Sequence, residues 1–176
     1  GMRPRSSRNR ILRERVTLSG RSYEIQRFIG RSLRAACDLS LLDGHSIIID
    51  VDVIQADGGT RTAAVNGGMI ALYIQLREMV TCGYIERLPV AHLIGAVSVG
   101  KMKDEILLDP EYEEDSKLDV DMNIVMDEES RFIEIASITE GNPFATKDLN
   151  EMLSLAKKGI KHIIEIEREY LSLTLA

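Results

Sequence analysis

The stretch that most limits the possible folds is residues 60–81, an apolar run entered through Asp57-Gly58-Gly59-Thr60-Arg61-Thr62. At helical spacing, Ala63, Ala64, Met69, Ile70, Ala71 and Ile74 fall nearly all round the axis instead of on one stripe. A helix with no polar face has to be covered on most sides, so this one is expected to be central. The reading runs from Met2 to Ala176 as a single domain. The 176 residues, 44% of them hydrophobic, are enough for one proper core and exclude a disordered chain.

The remaining pattern supplies what wraps that helix. Ile25, Phe28, Ile29, Leu33 and Ala36 recur at three- and four-residue spacing, predicting a helix over 22–39 with Ser22 as its cap and Glu24 in its first turn. Residues 46–55 read as a strand rich in β-branched side chains, with Ile47, Ile49, Val51 and Val53 on one face and Asp50 and Asp52, in a structural role, on the other. Further strands are expected at 92–99, 105–108, 118–126 and 132–138. A last helix over 146–171 carries Gly159 as a break in its regularity. This order predicts an α+β fold, with helices covering one face of a largely antiparallel sheet.

No apolar run approaches the ~20 residues of a bilayer crossing, and no basic start leads into a short apolar segment as in a signal peptide. A soluble, cytoplasmic protein with no membrane partner is expected. Cys37 and Cys82 lie far apart, and His45, His92 and His162 are scattered, so neither a disulfide framework nor a zinc site is indicated.

Charge is distributed unevenly. Residues 1–34 hold ten arginines, no lysine and two acids, whereas the rest carries 12 basic and 26 acidic residues, for a net charge of −6 overall. Arginine presents a planar fork of donors matched to phosphate. The arm therefore suits a polyphosphate partner such as nucleic acid, and equally a solvated arm or a surface paired with an acidic neighbouring chain.

Two constellations bear chemistry. The first is the Gly58-Gly59 turn into the helix: a helix start gathers unpaired N–H groups and a positive dipole end, glycine lets an oxyanion approach, and Thr60 and Arg61 add a hydroxyl and a fixed charge. An ordinary strand-to-helix turn would look the same, and the Walker pattern is absent. The second is Asp115 with Asp119, Asp121 and Asn123, the last three sharing one face of a strand whose other face is Val120, Met122, Ile124 and Met126. Carboxylates converging without a basic partner suit a bound Mg²⁺; a solvated acidic edge is the alternative.

These residues, together with Met2-Arg3-Pro4-Arg5, Ser19-Gly20-Arg21, Ile29-Gly30-Arg31, Tyr112-Glu113-Glu114-Asp115, Val120-Asp121-Met122-Asn123 and Asp148-Leu149-Asn150, resemble bacterial ribonuclease PH, a phosphorolytic 3′-to-5′ exoribonuclease that trims tRNA precursors, and its exosome relatives. The resemblance implies a ribonuclease PH-like domain with a left-handed βαβ crossover. It also implies a homo-oligomeric hexameric ring (a trimer of dimers), and release of nucleoside diphosphates from RNA with inorganic phosphate as co-substrate. It makes Arg21, Gly59, Thr60 and Arg61 phosphate-binding, Asp115 and Asp121 catalytic and ligands of Mg²⁺ (or Mn²⁺), and Arg5, Arg10 and Arg13 RNA-binding. Against that family, the opening strands of the domain are expected to be missing, which would expose sheet edges unless a partner covers them. Two residues between Glu14 and Ser19 are absent, and Ala136-Ser137-Ile138 replaces a Gln-Gly-Thr-like triplet. A non-catalytic RNA-binding or ring-forming subunit, or an inactive shortened product, are the alternatives.

Overall fold

The structure is a computed structural model and describes residues 20–42, 44–139 and 142–174. In chain order it contains α1 (Gly20–Ala35), a 3₁₀ turn (Leu39–Leu42), α2 (Thr60–Thr81), β1 (Ile94–Met102), β2 (Glu105–Leu108), α3 (Tyr112–Asp115), β3 (Val120–Asp127), β4 (Phe132–Thr139) and α4 (Thr146–Thr174). The strands form one antiparallel sheet in the order β2-β1-β3-β4, so the class is α+β as expected.

Local chemistry sets the turns. The β1–β2 hairpin pairs Met102 with Glu105 and turns through Lys103, whose φ is 56°. Asp119 holds that turn by accepting the Lys103 N–H at 2.7 Å. Between β3 and β4, Asp127 accepts the N–H groups of Glu129 (3.0 Å) and Arg131 (2.8 Å), folding the chain over Ser130 at φ 64°.

Helices lie on both faces of the sheet, not on one. On the first face Ile94, Ala96 and Val125 pack against Phe28 and Leu33 of α1 and Val65, Met69, Leu72 and Leu76 of α2. On the second, Val97, Val99, Met122, Ile124 and Met126 pack against Met152, Ala156, Ile160 and Ile164 of α4. In keeping with this, β1 and β3 are buried at nearly every successive position instead of at alternate ones. Helix α4 runs through Gly159 unbroken; a Cβ there would sit 2.9 Å from Leu108 and 3.2 Å from Val97, so the glycine serves close approach to the sheet.

Three further expectations change. Helix α1 already includes Gly20, which puts Ser22 inside the helix and Glu24 beyond its first turn. The 46–55 segment is extended and alternates as predicted, Ile47, Ile49, Val51 and Val53 half-buried and the even positions exposed, but it forms no ladder among the described strands. Ile48 (91% exposed) and Ile54 (80%) face outward. The helix α2, expected to be covered on every side, is buried along Val65, Met69, Leu72 and Leu76, yet Ala63, Gly67 and Ala71 remain exposed beside that segment. No helix among the described residues is long and apolar enough to cross a membrane.

Candidate functional site

The Gly-Gly turn is built so that only glycine fits. A Cβ on Gly58 would lie 1.9 Å from the Pro110 carbonyl oxygen, and Gly59 sits in the left-handed region at φ 65°, ψ 22°. Asp57 fastens the turn to the start of α3: its Oδ1 accepts the N–H groups of Gly58 (3.0 Å) and Tyr112 (2.7 Å). Thr62 Oγ1 donates to the Gly59 carbonyl at 2.8 Å. Among the described residues no side chain caps the start of α2, where helix N–H groups and a positive dipole end gather, and Thr60 and Arg61 there are half-buried. Arg61 Nη1 reaches Glu24 Oε1 of α1 at 3.4 Å. Arg21 is exposed in the first turn of α1, three residues before Glu24 and on the same face.

The acids stand opposite. Strand register puts Asp121 beside Gly100, and Ser98 beside Asn123, on the face covered by α2. Burial, and then the negative charge of Asp115, push the Asp121 carboxyl above its ordinary range; Arg61, Ser98 and Asn123 oppose the rise. The charges of Asp115 and Arg61 thus both act on the Asp121 carboxyl. Asp119, expected to share their face, lies just before β3 and serves the β1–β2 turn instead. Asp50 and Asp52 are exposed on the extended segment. Arg5, Arg10 and Arg13 lie outside the described residues.

Whether these residues suit a divalent cation can be judged from their chemistry. Asp121 is a half-buried carboxylate raised in part by the charge of a second, Asp115, a repulsion a cation would relieve, and both offer the hard oxygens Mg²⁺ or Mn²⁺ prefers. No group of three His, Cys, Asp or Glu converges among the described residues. Two protein ligands, with phosphate oxygens or water completing the shell, fit the usual Mg²⁺ pattern.

Sequence reading missed three participants, Asn66, Ser98 and Asp109, and placed Asn123 beside Asp121 without its role as a donor. Asn66 of α2 bonds to both backbone groups of Ala96 in β1. Ser98 and Asn123 both donate to Asp121. Asp109, at φ 53°, places Oδ1 3.0 Å from where a Gly59 Cβ would stand. Only Asn123 gave a signal, through its alternation with Asp121; the others depend on long-range register. Beside the turn, residues 49–55 and the small side of α2 (Ala63, Gly67, Ala71) enclose a groove of about 550 Å³.

Comparison with known proteins places the fold. The model for domain 1 of the 3′ exoribonuclease family matches residues 1–76, and the model for domain 2 matches residues 92–159. Among solved structures, the rice (Oryza sativa) Rrp46 crystal structure matches at 19% identity and TM-score 0.64, covering 90% of this chain and 69% of that one. An archaeal exosome core matches at 23% and 0.71, covering 88% and 66%. The Archaeoglobus fulgidus exosome with RNA bound to the active site matches at 23% and 0.68, covering 86% and 63%. The chain spans about two thirds of the length of these structures.

Proposed function

This chain belongs to the 3′ exoribonuclease family, and we propose that it is a phosphate-dependent 3′-to-5′ exoribonuclease, acting on tRNA precursor 3′ ends within a hexameric ring. The observation that carries this reading is that the uncapped start of α2 belongs to the helix covering the sheet face of Asp121, with Arg61 and Asp115 both acting on that carboxyl. Inorganic phosphate would sit at the start of α2, held by the Gly59 turn, Thr60, Arg61 and Arg21. One of its oxygens attacks the phosphorus of the last phosphodiester, forming a P–O bond while the bond to the preceding 3′ oxygen breaks. The products are a nucleoside 5′-diphosphate and an RNA one residue shorter with a free 3′ hydroxyl. Phosphate is already a nucleophile, so the site has to position and neutralise charge more than remove a proton. Asp115 and Asp121 would hold Mg²⁺ or Mn²⁺, which when bound supplies charge neutralisation to the reacting phosphates. The basic arm, with Arg5, Arg10 and Arg13, would track the RNA backbone.

RNA with a free 3′ end tests this: shortening should require both phosphate and Mg²⁺, and degradation that proceeds unchanged in phosphate-free buffer would refute it. A second reading, a non-catalytic RNA-binding or ring subunit, draws on the open groove along α2 and the exposed Ile48 and Ile54. It predicts RNA bound without turnover at saturating phosphate.

A further inference from the structure

We propose that Asn123 and Ser98 are positioning residues that clasp the Asp121 carboxylate and aim it at the start of α2; this rests on the phosphorolytic reading above and adds two residues to it. Asn123 Nδ2 donates to both oxygens of Asp121, to Oδ1 at 3.3 Å and Oδ2 at 3.4 Å. Ser98 Oγ donates to Oδ1 at 3.4 Å from the neighbouring strand. Both donors are buried, at 5% and 2% exposed, and they are cross-strand partners in the β1–β3 ladder, which fixes the backbone that carries them.

The arrangement is economical in geometry. Asn123 stands two residues along β3 from Asp121 and therefore on the same face, while Ser98 reaches it diagonally. Together they occupy the sheet-side lone pairs of the carboxylate. A carboxylate has about four acceptor positions, so capacity is left for a cation and for Arg61. Rotating the Asp121 side chain toward another rotamer would forfeit three hydrogen bonds, two of them from a single amide. A ligand held in this way needs no reorganisation when the cation arrives, and removal of such supporting donors typically costs 10- to 100-fold in metal affinity or activity.

The test uses the purified chain, Mn²⁺ alone as the binding probe, and phosphorolysis as the second readout. For Asn123→Ala and Ser98→Ala the account predicts about tenfold weaker Mn²⁺ binding by titration calorimetry, a matching rise in the Mg²⁺ concentration for half-maximal rate, and an unchanged KM for phosphate. Ser98→Thr, which keeps the hydroxyl, should stay within about twofold of wild type in all three. A purely structural role would lower the melting temperature of Asn123→Ala and Ser98→Ala and leave the Mn²⁺ affinity of the folded fraction as in wild type, which would overturn the proposal while the enzyme reading stands. If Asn123→Ala does not fold, the Ser98 pair of variants decides by the same criteria. Wild type that neither binds Mn²⁺ nor degrades RNA would sink both readings together.

Discussion

Asn66 of α2 satisfies both backbone groups of Ala96: its Oδ1 accepts the Ala96 N–H at 2.7 Å and its Nδ2 donates to the Ala96 carbonyl at 2.9 Å. Strand β2 covers β1 from Val99 to Met102, and the Asp109 N–H extends that cover to the Ser98 carbonyl. Asn66 continues it one step further with a side chain. The helix is thereby pinned to the sheet, and the Gly59–Arg61 turn at its start is fixed relative to Asp121. Asn66→Ala leaves a donor and an acceptor of Ala96 unpaired and should lower stability by about 2 kcal/mol, read from urea denaturation.

The Gly58 contact makes a harder prediction. A Cβ at 1.9 Å from the Pro110 carbonyl oxygen cannot be absorbed by a side-chain shift, because the obstacle is backbone. Gly58→Ala should cost about 2 kcal/mol or more and raise the KM for phosphate, since the turn and the start of α3 must part. Gly59→Ala meets mainly the left-handed conformation and should cost about 1 kcal/mol.

Arg61 can be removed with little cost to folding. Its ion pair with Glu24 is at 3.4 Å and Glu24 is half exposed, so Arg61→Ala should change stability by less than about 0.5 kcal/mol. Loss of a cation at the anion site should nonetheless lower kcat/KM for phosphorolysis by about 100-fold or more. Glu24→Gln frees Arg61 from its carboxylate and should lower the KM for phosphate by about twofold.

The extent to which the site was legible in the sequence follows from range. The Gly-Gly turn, Thr60 and Arg61 are contiguous, and the helix 60–81 and the strand 105–108 end where the pattern predicts. That the Asp115 charge acts on Asp121 fits the short turn and alternation that separate them in the sequence. Helix α3 was missed although Glu111 and Glu114 form a reciprocal capping box, since Glu is not among the usual capping residues. Asn66 and Ser98 gave no signal: their roles depend on which strand lies beside which, and that is decided by tertiary packing. The 46–55 segment shows the converse, a correct alternation that pairs with none of the described strands.

Glu167 of α4 makes stability depend on pH. It is 2% exposed, neither carboxyl oxygen has a hydrogen-bond partner, and burial pushes its pKa up to about 8 from 4.5. The folded state therefore holds a proton that the unfolded chain releases. Stability from this group is full below about pH 4.5 and is lost as pH rises toward about 8. Glu167→Gln should match wild type near pH 4.5 and exceed it at pH 8.5 by roughly 3 kcal/mol, measured by denaturant titration at both values.

The central claim, that free phosphate held at the start of α2 attacks the terminal phosphodiester, is tested most directly by following radiolabelled inorganic phosphate in a reaction with RNA and Mg²⁺. The account predicts that the label appears in the β-phosphate of released nucleoside diphosphates, and that Arg61→Ala abolishes the incorporation. Nucleoside monophosphates without label would contradict it.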